Sequence, residues 1–158
     1  MLERCYSVKC HKRLPTYIGC SVCKEWLTFS TFKAWMKSQV WRGRHLDKDL
    51  VIPYNKVYSP ETCLFVPGKL NTLINNQEAS RGRYPQGVNA HSPGKRFVAR
   101  CRVHGRKQHL GYFDTVAEAA AAYRKAKATL ILEIAEELEG EPILYSALVN
   151  QANLQWER

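Results

Sequence analysis

Three groups of residues in this chain have chemistry to offer. Cys5, Cys10, Cys20 and Cys23 follow a C-x4-C-x9-C-x2-C spacing, with His11 beside the second. The Cys20–Cys23 knuckle suits a structural zinc, but the first pair is spaced too widely for a standard ribbon. Reduced thiols packed as small hydrophobes are the simpler reading, so a zinc on these four is the alternative and is not favoured. The second group is His45, Asp47 and Asp49, which alternate with Leu46, Lys48 and Leu50. Period two sets an imidazole and two carboxylates on one face of a strand. The third group is the largest. Between residues 81 and 127, eleven Lys/Arg are opposed only by Asp114 and Glu118, in a chain of net charge +10. A stretch so lopsided asks for a polyanionic partner.

The chain must be large enough to hold these groups in place. Its 158 residues suit one ordinary domain or two small ones, and 45% hydrophobic content is enough for a core. No apolar run reaches the roughly 18 residues of a spanning helix, so no membrane partner is expected. The start, MLERCYSVKC, lacks the apolar stretch of a signal peptide. A cytoplasmic protein with reduced cysteines follows as the expectation.

The elements can be placed along the chain. A short helix is expected over Leu2–Lys9, a loop around Pro15, and a helix over Thr28–Lys37. That helix puts Phe29, Phe32, Trp35 and Met36 on one core-facing side, with Ser30 or Thr31 as a cap. A strand over His45–Val51, a turn through Asn55 and a return strand at Val57-Tyr58 come next. Ser59-Pro60-Glu61-Thr62 predicts a helix start, with Ser59 as cap, Pro60 in the first position and an acid against the dipole. That helix should be about two turns long, turn Cys63, Leu64 and Val66 inward, and stop at Pro67-Gly68, with a further short helix over Asn71–Asn76 that carries Leu73 and Ile74. Residues 77–83 are small, polar and basic and read as a linker.

Three strands are expected at Tyr84–Ala90, Arg96–Val103 and Lys107–Tyr112, with turns at Ser92-Pro93-Gly94 and His104-Gly105. In the second strand Phe97, Ala99, Cys101 and Val103 alternate with Val98, Arg100, Arg102 and His104. In the third, Lys107 and His109 share the basic side. Thr115-x-x-Glu118 is a capping box that opens a long helix to about Leu138, whose alanines allow close approach to the sheet. Residues 139–158 read as an acidic tail with a final short helix, solvated or laid over the basic sheet.

Two resemblances follow from these motifs. Arg4-Cys5-Tyr6, Val22-Cys23-Lys24-Glu25-Trp26, Asp47-Lys48, Asn55 and Pro60-Glu61-Thr62-Cys63-Leu64-Phe65-Val66 together resemble the ββα-metal segment of phage HNH homing endonucleases. That resemblance implies a divalent cation, Mg²⁺ or Mn²⁺, on a scissile phosphate and a base that activates water. It makes Asp47 the first metal ligand, with Asp49, Glu61 and Thr62 as further ligands. His45 or Lys48 would be base or phosphate contact, and Asn55 would orient the site. Lys48 stands where the family has its general-base histidine, and Thr62 where it has the last Asn or His.

The second resemblance runs from about 84 to 132. Gly87-Val88, Gly94-Lys95, Phe97-Val98-Ala99-Arg100-Cys101-Arg102 and Leu110-Gly111-Tyr112-Phe113-Asp114-Thr115 with Glu118-Ala119-Ala120 resemble the DNA-binding domain of plant ethylene-response (APETALA-type) factors. It implies a sheet in the major groove of double-stranded DNA, with Asn89, Arg96, Arg100, Arg102, Lys107 and His109 toward the duplex. Gln86 and Asn89 replace two basic positions of the plant motif, so its base preference does not carry over.

The expected fold class is α+β: an HNH-like segment with flanking helices over 1–76, then a three-stranded antiparallel sheet packed on one long helix over 84–138. The expected function is a metal-dependent DNA endonuclease targeted by the sheet, with no small-molecule substrate. A catalytically inactive phage DNA-binding protein, regulator or inhibitor, is the alternative. RNA binding is disfavoured because basic rather than aromatic residues dominate the open face.

Overall fold

The computed structural model describes residues 1–74, 82–92 and 96–156. Arg81, Lys95, the Pro93-Gly94 turn and most of the expected linker lie outside the described residues. The architecture is mixed α+β, and the chain divides into two compact units, Met1–Asn75 and Asn76–Arg158.

In the first unit the expected opening helix is two helices, α1 (Leu2–Tyr6) and α2 (Val8–Arg13). Ser7 breaks them, because its hydroxyl accepts the Cys10 N–H at 3.2 Å and so caps α2. The strand β1 (Ser21–Val22) lies in the Cys20–Cys23 knuckle and is pinned by the Val22 N–H donating to the Tyr6 hydroxyl at 3.0 Å. The helix α3 (Phe29–Lys37) follows, with Thr28 rather than Ser30 or Thr31 at its cap. Phe32 and Trp35 pack on the buried Trp26, with ring centroids 5.1 and 4.4 Å away, whereas Phe29 at the helix start is exposed. The core gathers Cys5, Cys20, Val22, Trp26, Tyr58 and Cys63.

The middle of the unit departs from expectation in its pairing. The strand β2 (Arg44–Asp47) stops at Asp47 instead of running on to Val51. The strand β3 (Val57–Tyr58) does not return along it but pairs in parallel with β1. Ser59 to Cys63 makes a single hydrogen-bonded turn, with the Thr62 and Cys63 N–H groups both donating to the Ser59 carbonyl. The chain then enters β4 (Leu64–Pro67), which is antiparallel to β2. The physical reason lies in the sequence after the turn. Leu64-Phe65-Val66 suits a pleated surface, and Phe65 stacks on Trp35 with centroids 5.6 Å apart. The helix α4 (Gly68–Ile74) begins only after Pro67, so hairpin and helix are present one element later than the motif suggested.

The second unit follows its alternation closely. β5 (Val88–Ser92), β6 (Arg96–Val103) and β7 (Arg106–Phe113) form an antiparallel sheet in that order. His104 and Gly105 both take positive φ, 46° and 81°, as a two-residue turn of this kind demands. The helix α5 (Val116–Glu136) opens with the full capping box of Thr115 and Glu118. Val88, Ala99, Ala119 and Ala120 make the contact layer between sheet and helix. Gly87 enters at φ 79°, and a Cβ there would lie 2.0 Å from the Tyr123 ring, so only glycine fits.

The acidic segment is not a solvated tail. The helix α6 (Pro142–Trp156) packs along α5 and buries Leu144, Ala147, Leu148 and Ala152. Glu137, Glu139 and Glu141 precede it, in the turn after α5, and its apolar residues pack against α5. Among the described residues, no helix is long and apolar enough to cross a membrane.

Candidate functional site

The 45–62 segment brings its polar residues together, but it turns them on one another. Asp47 ends β2 at 8% exposure, and its Oδ1 accepts the N–H groups of Asp49 and Leu50, both at 2.8 Å. Burial pushes its carboxyl above the usual range, and those two N–H groups oppose the push. Lys48 is 6% exposed. Its ammonium donates to Asp49 Oδ1 at 2.6 Å and to the Asn55 carbonyl at 2.5 Å, and it lies 5.9 Å from the centre of the Tyr58 ring.

Asn55 closes the same loop from its other end. Its amide donates to the carbonyls of Lys48 (2.9 Å) and Val57 (2.6 Å), and its Oδ1 accepts the Val57 N–H at 3.1 Å. The Thr62 hydroxyl donates to the Val57 carbonyl at 2.8 Å and accepts the Ser59 N–H at 3.3 Å. Glu61 faces water, where the Ser59 hydroxyl and then its own N–H hold its carboxyl below the usual range.

These bonds engage several of the groups to which the resemblance gives roles. A divalent cation needs several oxygens turned toward one point. Here one Asp47 oxygen is occupied by two backbone donors, the Asp49 carboxylate is held by an ammonium, and the Thr62 proton points to a carbonyl. Asp47, Asp49, Glu61 and Thr62 therefore do not fit as one ligand set. Among the described residues, no three His, Cys, Asp or Glu side chains gather as a metal site, the Cys5, Cys10, Cys20 and Cys23 quartet included. Cys10 is buried outside the cluster that holds Cys5 and Cys20. Lys48 donates to a carboxylate and a carbonyl, and in this arrangement it pins the loop.

His45 differs from its neighbours because it is exposed. Its imidazole packs over the start of α4, 3.3 Å from where a Cβ on Gly68 would stand. Asn71 lies three residues along α4 and shares that face of the helix. Placing the helix at Ser59 hid this neighbourhood from sequence reasoning.

The open face of β5–β7 is built in the opposite sense. Arg100 stands directly across from His109, and Arg102 directly across from Lys107, with all four side chains exposed. Asn89 is exposed on β5, opposite Val98. Arg96 is exposed too, but its Nε donates to Asp114 Oδ1 at 3.2 Å, so its charge is partly met. The Cys101 side chain turns the other way, toward α5, and burial pushes its thiol up. Lys127 does not join the basic surface. It is 1% exposed inside the unit, where it works against the upward push on Cys101.

Sequence reasoning missed a second set of residues on this face. Tyr112 stands across from Val98, and its ring lies between two imidazoles, 4.4 Å from His91 and 4.7 Å from His109. Strict alternation puts His109 and Tyr112 on opposite sides of β7. A register shift opposite Ala99/Arg100 inserts Leu110 and brings them to the same side. The signal was Gly111, whose φ of 139° only glycine takes easily. Comparison with known proteins finds no family model, no curated protein and no solved structure that matches this chain.

Proposed function

We propose that this chain binds double-stranded DNA through the open face of β5–β7. One observation carries the reading: Arg102 and Lys107 are set directly opposite each other, next to the Arg100–His109 pair, with no carboxylate among the four. Like charges across a ladder cost stability in a protein on its own. A polyanion laid on that face turns the cost into attraction, because each neutralised phosphate releases counterions. A β-sheet edge-on to the bases fits the major groove, where an arginine can pair with guanine O6 and N7 while a lysine holds phosphate. The test is fluorescence anisotropy with labelled duplex DNA, single-stranded DNA and duplex RNA. The expected order puts duplex DNA first, and Arg100→Ala/Arg102→Ala weakens it by at least tenfold. Unchanged affinity in that variant would remove the reading.

A second reading adds phosphodiester hydrolysis by the first unit, in the manner of an HNH endonuclease. The hairpin of β2 and β4 running into α4, with the exposed His45 on its surface, favours it. It requires a ligand set other than the one expected from the motif. Supercoiled plasmid with Mg²⁺ or Mn²⁺ decides it. Metal-dependent nicking that is lost in His45→Ala supports hydrolysis, and binding without nicking supports a regulator or inhibitor.

A further inference from the structure

The sheet face is not uniformly basic, and its exception has a definite shape. Val98 belongs to the outward set of β6, between Arg96 and Arg100. Its neighbour Ala99 packs on α5 and Val98 alternates away from it, yet only 2% of Val98 is exposed. Tyr112 stands beside it on one flank and Asn89 on the other, and His91 and His109 close around the Tyr112 ring. Tyr112 itself is 44% exposed. The result is a small apolar seat, the exposed part of one aromatic ring beside a buried valine, set among cations.

Resting on the DNA-binding reading above, we propose that this seat takes the 5-methyl group of thymine and so biases the protein toward A·T pairs at that point of the major groove. Chemistry limits the choice of occupant. The major-groove edges of the bases present donors, acceptors and a single apolar group, the thymine methyl. Phosphate and sugar edges offer nothing that prefers a ring over an arginine. Asn89 adds a complementary feature, because an amide can bond adenine at N6 and N7, and it stands directly across from Val98. The basic residues on either side hold the duplex while the seat distinguishes one pair from another.

The experiment compares the full chain on two random-sequence duplex pools of equal length, one made with thymine and one with uracil. The pools differ only in the methyl. The native protein should bind the thymine pool nearly twofold more tightly, because burying one methyl group is worth about fourfold and roughly one register in four of a random pool sets thymine at the seat. Tyr112→Phe should keep that ratio, and Tyr112→Ala should bring it to unity while leaving salt-dependent binding in place. Equal affinity of the native protein for both pools overturns the inference, as does a ratio that survives in Tyr112→Ala. Absence of binding to either pool at low salt would instead overturn the DNA-binding reading itself, and this inference with it.

Discussion

Lys48 and Lys107 are the same residue put to opposite uses. Lys48 is buried in the first unit and donates to Asp49 and to the Asn55 carbonyl. Lys107 is exposed in the second unit and stands opposite Arg102. The 45–62 loop uses its polar groups for its own closure, whereas the β5–β7 face leaves them open to a partner. A cluster of polar residue types is therefore not yet a site. What decides is whether the hydrogen bonds are already made inside the protein, because a satisfied group gains little from a ligand.

Several measurements would break or sharpen this contrast. The largest effect is expected away from both regions, in the packing of α6 on α5. Leu148 is fully buried on α6, so Leu148→Ala should cost the second unit about 3 kcal/mol in urea unfolding. A negligible cost would mean that α6 is an appended tail after all. In the loop, Lys48→Ala should cost about 2–3 kcal/mol, since it removes two charged hydrogen bonds from a buried place. Lys107→Ala should change stability by less than about 0.5 kcal/mol. Equal costs at the two lysines would erase the distinction.

Alkaline pH probes the core beneath the loop. Burial pushes the Cys63 thiol up to about 11 from the ordinary 9.0, and Tyr58 beside it is raised as well. A raised acid pKa favours the folded state while the group is protonated. That stability is complete below about pH 9 and is lost as pH rises toward about 11, up to roughly 2 kcal/mol for Cys63. Thermal melts across that window should show the first unit losing more stability than the second, with a smaller loss in Cys63→Ala.

Asp47 gives the smallest and most discriminating effect. Asp47→Asn keeps an oxygen for the Asp49 and Leu50 N–H groups and relieves a buried charge, so stability should hold or rise slightly. Asp47→Ala leaves both donors without an acceptor and should cost about 1–2 kcal/mol. If Asp47→Asn is as damaging as Asp47→Ala, the carboxylate's charge has a role that its backbone bonds do not explain.

The second unit was legible because its signals are local. The alternation of Arg100 and Arg102 with Ala99 and Cys101, the His104-Gly105 turn and the Thr115/Glu118 box each act within a few residues. The first unit was read less well because its decisive contacts are distant. Nothing near Val57-Tyr58 announces that it pairs with Ser21-Val22, and Ser59-Pro60-Glu61 carries all the marks of a helix but sustains only one turn. The Leu64-Phe65-Val66 run then pairs with β2 and overrides the start signal. In the sheet, the added residues at His91 and Leu110 reset the faces, which a strict period of two cannot anticipate.

The salt dependence of duplex binding tests the central claim most directly. Arg100, Arg102 and Lys107, removed together as alanines, should lower the slope of log affinity against log salt by about 2.7, or about 0.9 for each phosphate no longer neutralised. Lys125→Ala on α5, exposed but off the sheet face, should leave the slope unchanged. A triple variant with the native slope would contradict the account, because the duplex would then lie somewhere other than on the open face of β5–β7.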